Sequence, residues 1–156
     1  MGIVGSGFIA LEFLNLAAAR GFPARLVFRA RHFFDRLLGE QSSVFVEEHL
    51  RRGGCEIIAG ADKEVLAEAI QDCPAVGLGL GLKPNFGFLK DTGIALANGV
   101  RCDTALETAF QGIWAAGDVA EYDDMITGGA LLSGTWMHAD FQGRHAGRAM
   151  ATGERV

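Results

Sequence analysis

Over the first half of the chain, short apolar runs alternate with longer helical stretches. Ile3-Val4 is closed by Gly5-Ser6-Gly7, and Phe8 to Ala19 follows without a glycine or proline. That order predicts a strand, a tight turn and a helix. The helix is apolar nearly all round, Glu12 and Asn15 excepted, which predicts cover on more than one side. Pro23 opens a second strand, Ala24 to Phe28, and a basic, aromatic stretch follows from Arg29 to Arg36. Ser42 or Ser43 is placed to cap a helix running to about Arg52, with two arginines in its last turn and Gly53-Gly54 to stop it. Glu56 to Ile58 reads as a third strand, Asp62 to Ile70 as a short helix, and Ala75 to Leu80 as a fourth strand.

Alternation of this kind predicts an α/β fold with a Rossmann-like parallel sheet. After Lys83-Pro84-Asn85 the texture changes. Short β-like pieces (Ile94 to Ala97, Val100 to Cys102, Ile113 to Ala116) lie between turns, and the segment from about Ala130 to Ala151 turns helical toward its end. A boundary near Pro84 divides residues 1–83 from residues 84–156.

Composition narrows the function classes. With 49% hydrophobic and 21% charged residues the chain can build a core. Its 14 basic and 19 acidic residues leave a net charge of −5, which argues against nucleic acid held by bulk charge. The longest apolar run, Ala75 to Leu82, is too short and too rich in glycine for a membrane span of about 18 residues or more. Cys55, Cys73 and Cys102 form no C-x-x-C pair, and a reducing cytoplasm is the expected location. His138, Asp140 and His145 lack the i, i+4 histidine pair of a helical metal site, so no metal is expected.

The 22 glycines are the compositional outlier, and the first of them carry chemistry. Gly5-Ser6-Gly7-Phe8-Ile9-Ala10 is G-x-G-x-x-A between a strand and a helix, the setting in which the pattern binds a dinucleotide. Gly5 permits the tight turn, and Gly7 lets backbone approach a pyrophosphate whose charge sits on the helix N-terminus. Ala10 is small enough for helix–strand contact. Read without a ligand, the same residues are a plain turn with glycine for geometry alone.

A dinucleotide fold usually carries an acid about 20 residues further on, bonding the adenosine ribose 2′-hydroxyl. Here no Asp or Glu occurs between Glu12 and Asp35, and the strand end reads Phe28-Arg29-Ala30-Arg31-His32. Arginines there clasp a 2′-phosphate that an acid would repel, so Arg29 and Arg31 favour NADP over NAD. The alternative is a solvated basic loop.

Three motifs now stand in order: Gly5 to Glu12, Leu78-Gly79-Leu80-Gly81-Leu82-Lys83-Pro84-Asn85, and Ile113-Trp114-Ala115-Ala116-Gly117-Asp118-Val119-Ala120. Together with Thr135-Trp136, Ala139, Gln142-Gly143-Arg144 and Ala146-Gly147, they resemble the pyridine nucleotide–disulfide oxidoreductase superfamily. They look especially like the rubredoxin, ferredoxin and nitrite reductase-like flavoproteins of that superfamily. The resemblance implies a nicotinamide-binding domain inserted into an FAD domain, with hydride passing from NAD(P)H to flavin. It makes residues 1–83 the NAD(P) domain and residues 84–156 a partial FAD-binding segment with short strands and a C-terminal helix. It places Gly5, Gly7, Phe8 and Ile9 at the pyrophosphate and nicotinamide and Gly81 close to the cofactor. Glu12 matches the acid of the first helix, and Gly117-Asp118 the pair whose aspartate bonds a ribityl hydroxyl of FAD.

Three departures accompany the resemblance. The family's own N-terminal glycine-rich unit, the β-meander between the third and fourth strands, and the redox cysteines with the C-terminal dimerisation domain are not found. The implied reading is a segment of a flavoprotein oxidoreductase that passes electrons to an electron-carrier protein or a small-molecule acceptor. A homodimer or a second chain would complete the FAD site. The alternative is a non-catalytic nucleotide-binding module or a truncated remnant.

Overall fold

The computed structural model describes residues 1–154. The chain divides into two compact units, Met1–Leu82 and a second that begins at Lys83. In the first, β1 (Gly2–Val4), β2 (Arg25–Val27), β3 (Glu56–Ile58) and β4 (Val76–Leu78) form a sheet of order β3-β2-β1-β4 with every pair parallel. The crossovers are α1 (Phe8–Ala19), α2 (Glu40–Arg52) and α3 (Lys63–Ile70).

Register explains the layers. Ile3, Leu26 and Ile57 stand side by side and pack with Ala10 and Leu14 of α1 and Val46 and Leu50 of α2. One residue on, Val27 and Ile58 pair and pack with Ala61, Leu66 and Ala69 under α3. Because strand side chains alternate faces, the two rows bury helices on both sides of one sheet. The row before them is polar: Arg25 bonds Glu56 at 2.6 Å and Asp72 at 2.7 Å.

The structure corrects two expectations in this unit. Only Ala10, Leu14 and Ala17 of α1 are buried, while Phe8 is 60% and Ile9 50% exposed. The helix packs on β1 and on the edge strand β4, so a single stripe meets the sheet. Helix α2 begins at Glu40, ahead of the serines, with Gly39 as its cap and no side-chain capping bond. Ser43 is buried inside it. An extended glycine followed by an acid starts the helix instead, the carboxylate suiting its positive end. Asp62 does cap α3, accepting from the Val65 N–H at 2.8 Å.

In the second unit β5 (Val100–Arg101) runs parallel to β6 (Ala120–Asp123), which pairs antiparallel with β7 (Ala130–Leu132). The expected strands at Ile94–Ala97 and Ile113–Ala116 are reduced to single bridges, Leu96 to Val100 and Trp114 to Glu107. Helix α4 (Trp136–Thr152) is capped by Thr135 and closes at Gly153, whose φ of 72° is left-handed. Val100, Cys102, Leu106, Ala115, Ala120 and Ala146 form the core. Among the described residues no helix is long and apolar enough to cross a membrane.

Candidate functional site

The site is built where β1 gives way to α1. The Gly5 N–H donates to the Val27 carbonyl at 3.0 Å, extending the β1–β2 ladder by one residue. Gly5 then turns with φ 135°, and a Cβ there would stand 2.2 Å from the Gly79 carbonyl oxygen. Gly79 in turn donates to the Val4 carbonyl at 2.7 Å, and a Cβ on it would meet the Ala10 nitrogen at 2.7 Å. Three stretches of backbone therefore meet at Gly5, Gly79 and Ala10, and neither glycine has room for a side chain.

Gly7 is a different case. Its φ of −120° and ψ of −168° suit any residue, and a Cβ there would meet nothing within 4 Å. The protein itself gives no reason for glycine at this position. What lies in front of it is the N-terminus of α1, which has no side-chain cap and whose leading N–H groups have no intrahelical acceptor. An open approach to free donors at a positive helix end fits a pyrophosphate.

The basic stretch after β2 folds back onto this turn. The Phe34 N–H donates to the Ser6 carbonyl at 3.0 Å, Phe34 takes φ 62°, and its ring lies 5.1 Å from that of Phe8. Glu47, buried on α2 at 5% exposure, anchors the loop from beneath. Its carboxylate accepts from the Phe33 N–H at 2.9 Å and from Arg51 at 3.3 Å, with His32 Nδ1 at 3.4 Å. Phe34, Glu47 and Gly79 were not among the residues marked by sequence. Glycine alternation in 77–81 was a signal for Gly79, whereas a buried acid and a left-handed phenylalanine leave none.

Of the marked residues, Gly5, Gly7, Phe8, Ile9 and Glu12 share the β1–α1 junction, and Arg29 and Arg31 lie on the loop bonded to it. Gly81, with φ 89°, follows β4 at the same C-terminal edge of the sheet, where α/β folds bind ligands. Glu12 is exposed and makes no ion pair or side-chain hydrogen bond among the described residues. Arg29 is likewise exposed and makes no ion pair among the described residues, whereas Arg31 is held by Glu40 at 2.9 Å.

Gly117 and Asp118 lie in the second unit, on a short 3-10 turn (Gly117–Val119) that leads into β6. Gly117 has φ 76°, and a Cβ on it would come 3.3 Å from that of Ala139. Its N–H donates to Oε1 of buried Gln142 at 2.7 Å, which fixes the turn on α4. The Asp118 carboxylate is exposed and makes no bond among the described residues.

Two of the thiols and two of the candidate metal ligands have local partners or constraints. Burial pushes the Cys55 and Cys102 thiols up from their ordinary range, which disfavours the thiolate that redox chemistry needs. His138 is hydrogen-bonded to Ser133 and Asp140 to Arg144. No group of three metal-ligating side chains gathers among the described residues.

Comparison with known proteins identifies the family and the fold. The chain is 30% identical over 120 residues to the NADH-rubredoxin oxidoreductase of Clostridium acetobutylicum, covering 77% of this chain and 31% of that one. It is 32% identical over 148 residues to the ferredoxin–NAD(+) reductase component of the p-cumate 2,3-dioxygenase system of Pseudomonas putida, covering 89% and 36% respectively. The chain thus spans about a third of the length of these relatives. The crystal structure of the ferredoxin reductase for the CYP199A2 system of Rhodopseudomonas palustris superposes with a TM-score of 0.86 at 24% identity, over 99% of this chain and 41% of that one, and shows the same fold. A sequence model described as pyridine nucleotide-disulphide oxidoreductase matches residues 1–143, and the chain belongs to that family.

Proposed function

We propose that this chain is the pyridine-nucleotide-binding part of a flavoprotein oxidoreductase, with residues 1–83 holding NAD(P)H and residues 84–156 supplying part of an FAD site. FAD and NAD(P)H are the cofactors of the family. The observation that carries the reading is the contrast between two glycines. Gly5 is demanded by the protein's own backbone, whereas a side chain at Gly7 would meet nothing in the protein, and glycine at the mouth of an uncapped helix end suits an approaching pyrophosphate.

The nicotinamide and flavin supply the hydride chemistry when bound, and the protein's part is to place them. The first turn of α1 would take the pyrophosphate on its free N–H groups. Phe8, Ile9 and Gly81 would line the approach, with Glu12 one turn further along the helix. In the second unit Asp118 would accept from a ribityl hydroxyl, held by the Gly117–Gln142 bond. An electron-carrier protein or a small-molecule acceptor would take the electrons, as the rubredoxin and ferredoxin in the relatives' names indicate for those proteins.

Arg29 favours NADP(H) over NAD(H). It lies at the end of β2, where an acid would bond the ribose hydroxyl, and is free of ion pairs among the described residues. The two relatives are named for NADH and NAD(+), so the preference would be a departure of this chain. Calorimetric titration with NADPH and NADH tests both levels. Binding of NADPH supports the site, and failure to bind either nucleotide overturns it. A second reading, a nucleotide-binding module without turnover of its own, is favoured by the single G-x-G-x-x-A turn in the sequence. Diaphorase activity with added FAD separates the two.

A further inference from the structure

We propose that Glu40 is a specificity-determining residue of the nucleotide site, sequestering Arg31 and setting an upper limit on the preference for a 2′-phosphate. The inference rests on the nucleotide-binding reading above and goes beyond it by assigning opposite parts to the two arginines of the loop.

Two features place the Glu40 carboxylate. Its Oε1 lies 2.9 Å from Nη2 of Arg31. Glu40 is also the first residue of α2, whose cap, Gly39, offers no side-chain bond, so the positive helix end favours an acid there. The same oxygen stands 3.6 Å from Nε2 of His32, whose other ring nitrogen faces buried Glu47 at 3.4 Å. Glu40 is thus placed to hold Arg31.

A 2′-phosphate carries nearly two negative charges, and to engage Arg31 it must compete with the Glu40 carboxylate that already holds the guanidinium. The ribose hydroxyl of NAD(H) is neutral and meets no such cost. Glu40 thus acts against NADP(H) alone, while Arg29 remains available to it. The pair is exposed, at 77% for Arg31 and 59% for Glu40, which keeps the effect modest and leaves the fold indifferent to substitution.

Calorimetric titration of the whole chain with NADP+ and with NAD+, at fixed pH and ionic strength, tests the assignment in wild type, Glu40→Gln, Arg31→Ala and the double variant. Glu40→Gln should tighten NADP+ about fivefold, the equivalent of about 1 kcal/mol, and leave NAD+ within about twofold. In the Arg31→Ala background the gain should shrink, since the arginine that Glu40 withholds is gone. Unchanged NADP+ affinity in Glu40→Gln, or an equal gain without Arg31, overturns the proposal while leaving the nucleotide site standing. A wild-type chain that binds neither nucleotide overturns the site and the proposal together.

Discussion

The N–H of Phe34 donates to the carbonyl oxygen of Ser6 at 3.0 Å, and this bond joins two parts of the chain that sequence treats separately. Ser6 sits between the two glycines of the turn, and Phe34 follows the basic run at the end of β2. The basic loop after β2 and the glycine turn before α1 are thereby one assembly.

Gly5 and Gly7 should separate stability from binding. Gly5→Ala forces a side chain into φ 135° and against the Gly79 carbonyl. Backbone strain and overpacking together cost roughly 2–4 kcal/mol. Gly7→Val adds a side chain to open space in an extended backbone and should leave the denaturation midpoint nearly unchanged. It should weaken NADPH at least ~100-fold, the loss of two charge-assisted hydrogen bonds at roughly 1.5–3 kcal/mol each. Urea denaturation and calorimetry on both variants are the measurements, and unchanged NADPH affinity in Gly7→Val would make the turn purely structural.

Arg29→Ala should erase a preference for NADPH of about tenfold while changing NADH affinity little. Arg29→Glu should reverse it, because an acid at the end of β2 accepts from a ribose hydroxyl and repels a phosphate. Dissociation constants for both nucleotides decide the matter. Equal affinities in the wild type would remove the arginine from the site.

Glu47 should act on binding from a distance. Glu47→Ala leaves the buried Phe33 N–H without its acceptor, costing about 1–3 kcal/mol of stability. It also frees the loop to drift from Ser6, so NADPH affinity should fall with it. Glu47→Gln keeps an acceptor oxygen at the same place and should restore both. A variant that loses stability but binds as wild type would show that loop position is immaterial to the site.

How far the sequence reached follows from what each element depends on. Helix α1 and strand β3 were legible to the residue, because a mostly apolar run free of glycine and proline, or a flanked apolar pair, leaves one solution. The start of α2 was not, since its cap is a glycine with no side-chain bond and a serine pair nearby offered a stronger signal. Strands β6 and β7 were missed for a related reason. β6 carries Glu121 and Asp123, and Glu121 is buried because it accepts from the Gly99 N–H at 2.7 Å, a long-range partner no local pattern announces. The glycine turn was legible because its geometry is local. The hold of Glu40 on Arg31 and the left-handed Phe34 were not, because both arise when the loop closes.

FAD should bind this chain weakly or not at all when the chain is monomeric. The ADP half of a flavin dinucleotide needs a glycine turn that opens a helix, and after the one at Gly5 the sequence holds no second G-x-G-x-x-G/A behind a strand. Gly77 to Leu82 comes nearest, but Pro84 follows and biases the preceding residue away from helix. The structure agrees: β4 ends at Leu78, and the next helical element is a single 3-10 turn at Gly87–Leu89. On the proposed reading Asp118 and the turn fixed by Gln142 would offer contacts to the ribityl chain alone, and these would have to offset the cost of ordering a large ligand. Strand β4 lies at the edge of its sheet, and such an edge can pair with another chain. Titration with FAD, followed by flavin fluorescence and run beside a measurement of mass in solution, is the test. Tight stoichiometric quenching by a monomer would refute the argument, whereas quenching confined to a dimer would mean that two chains together complete the flavin site.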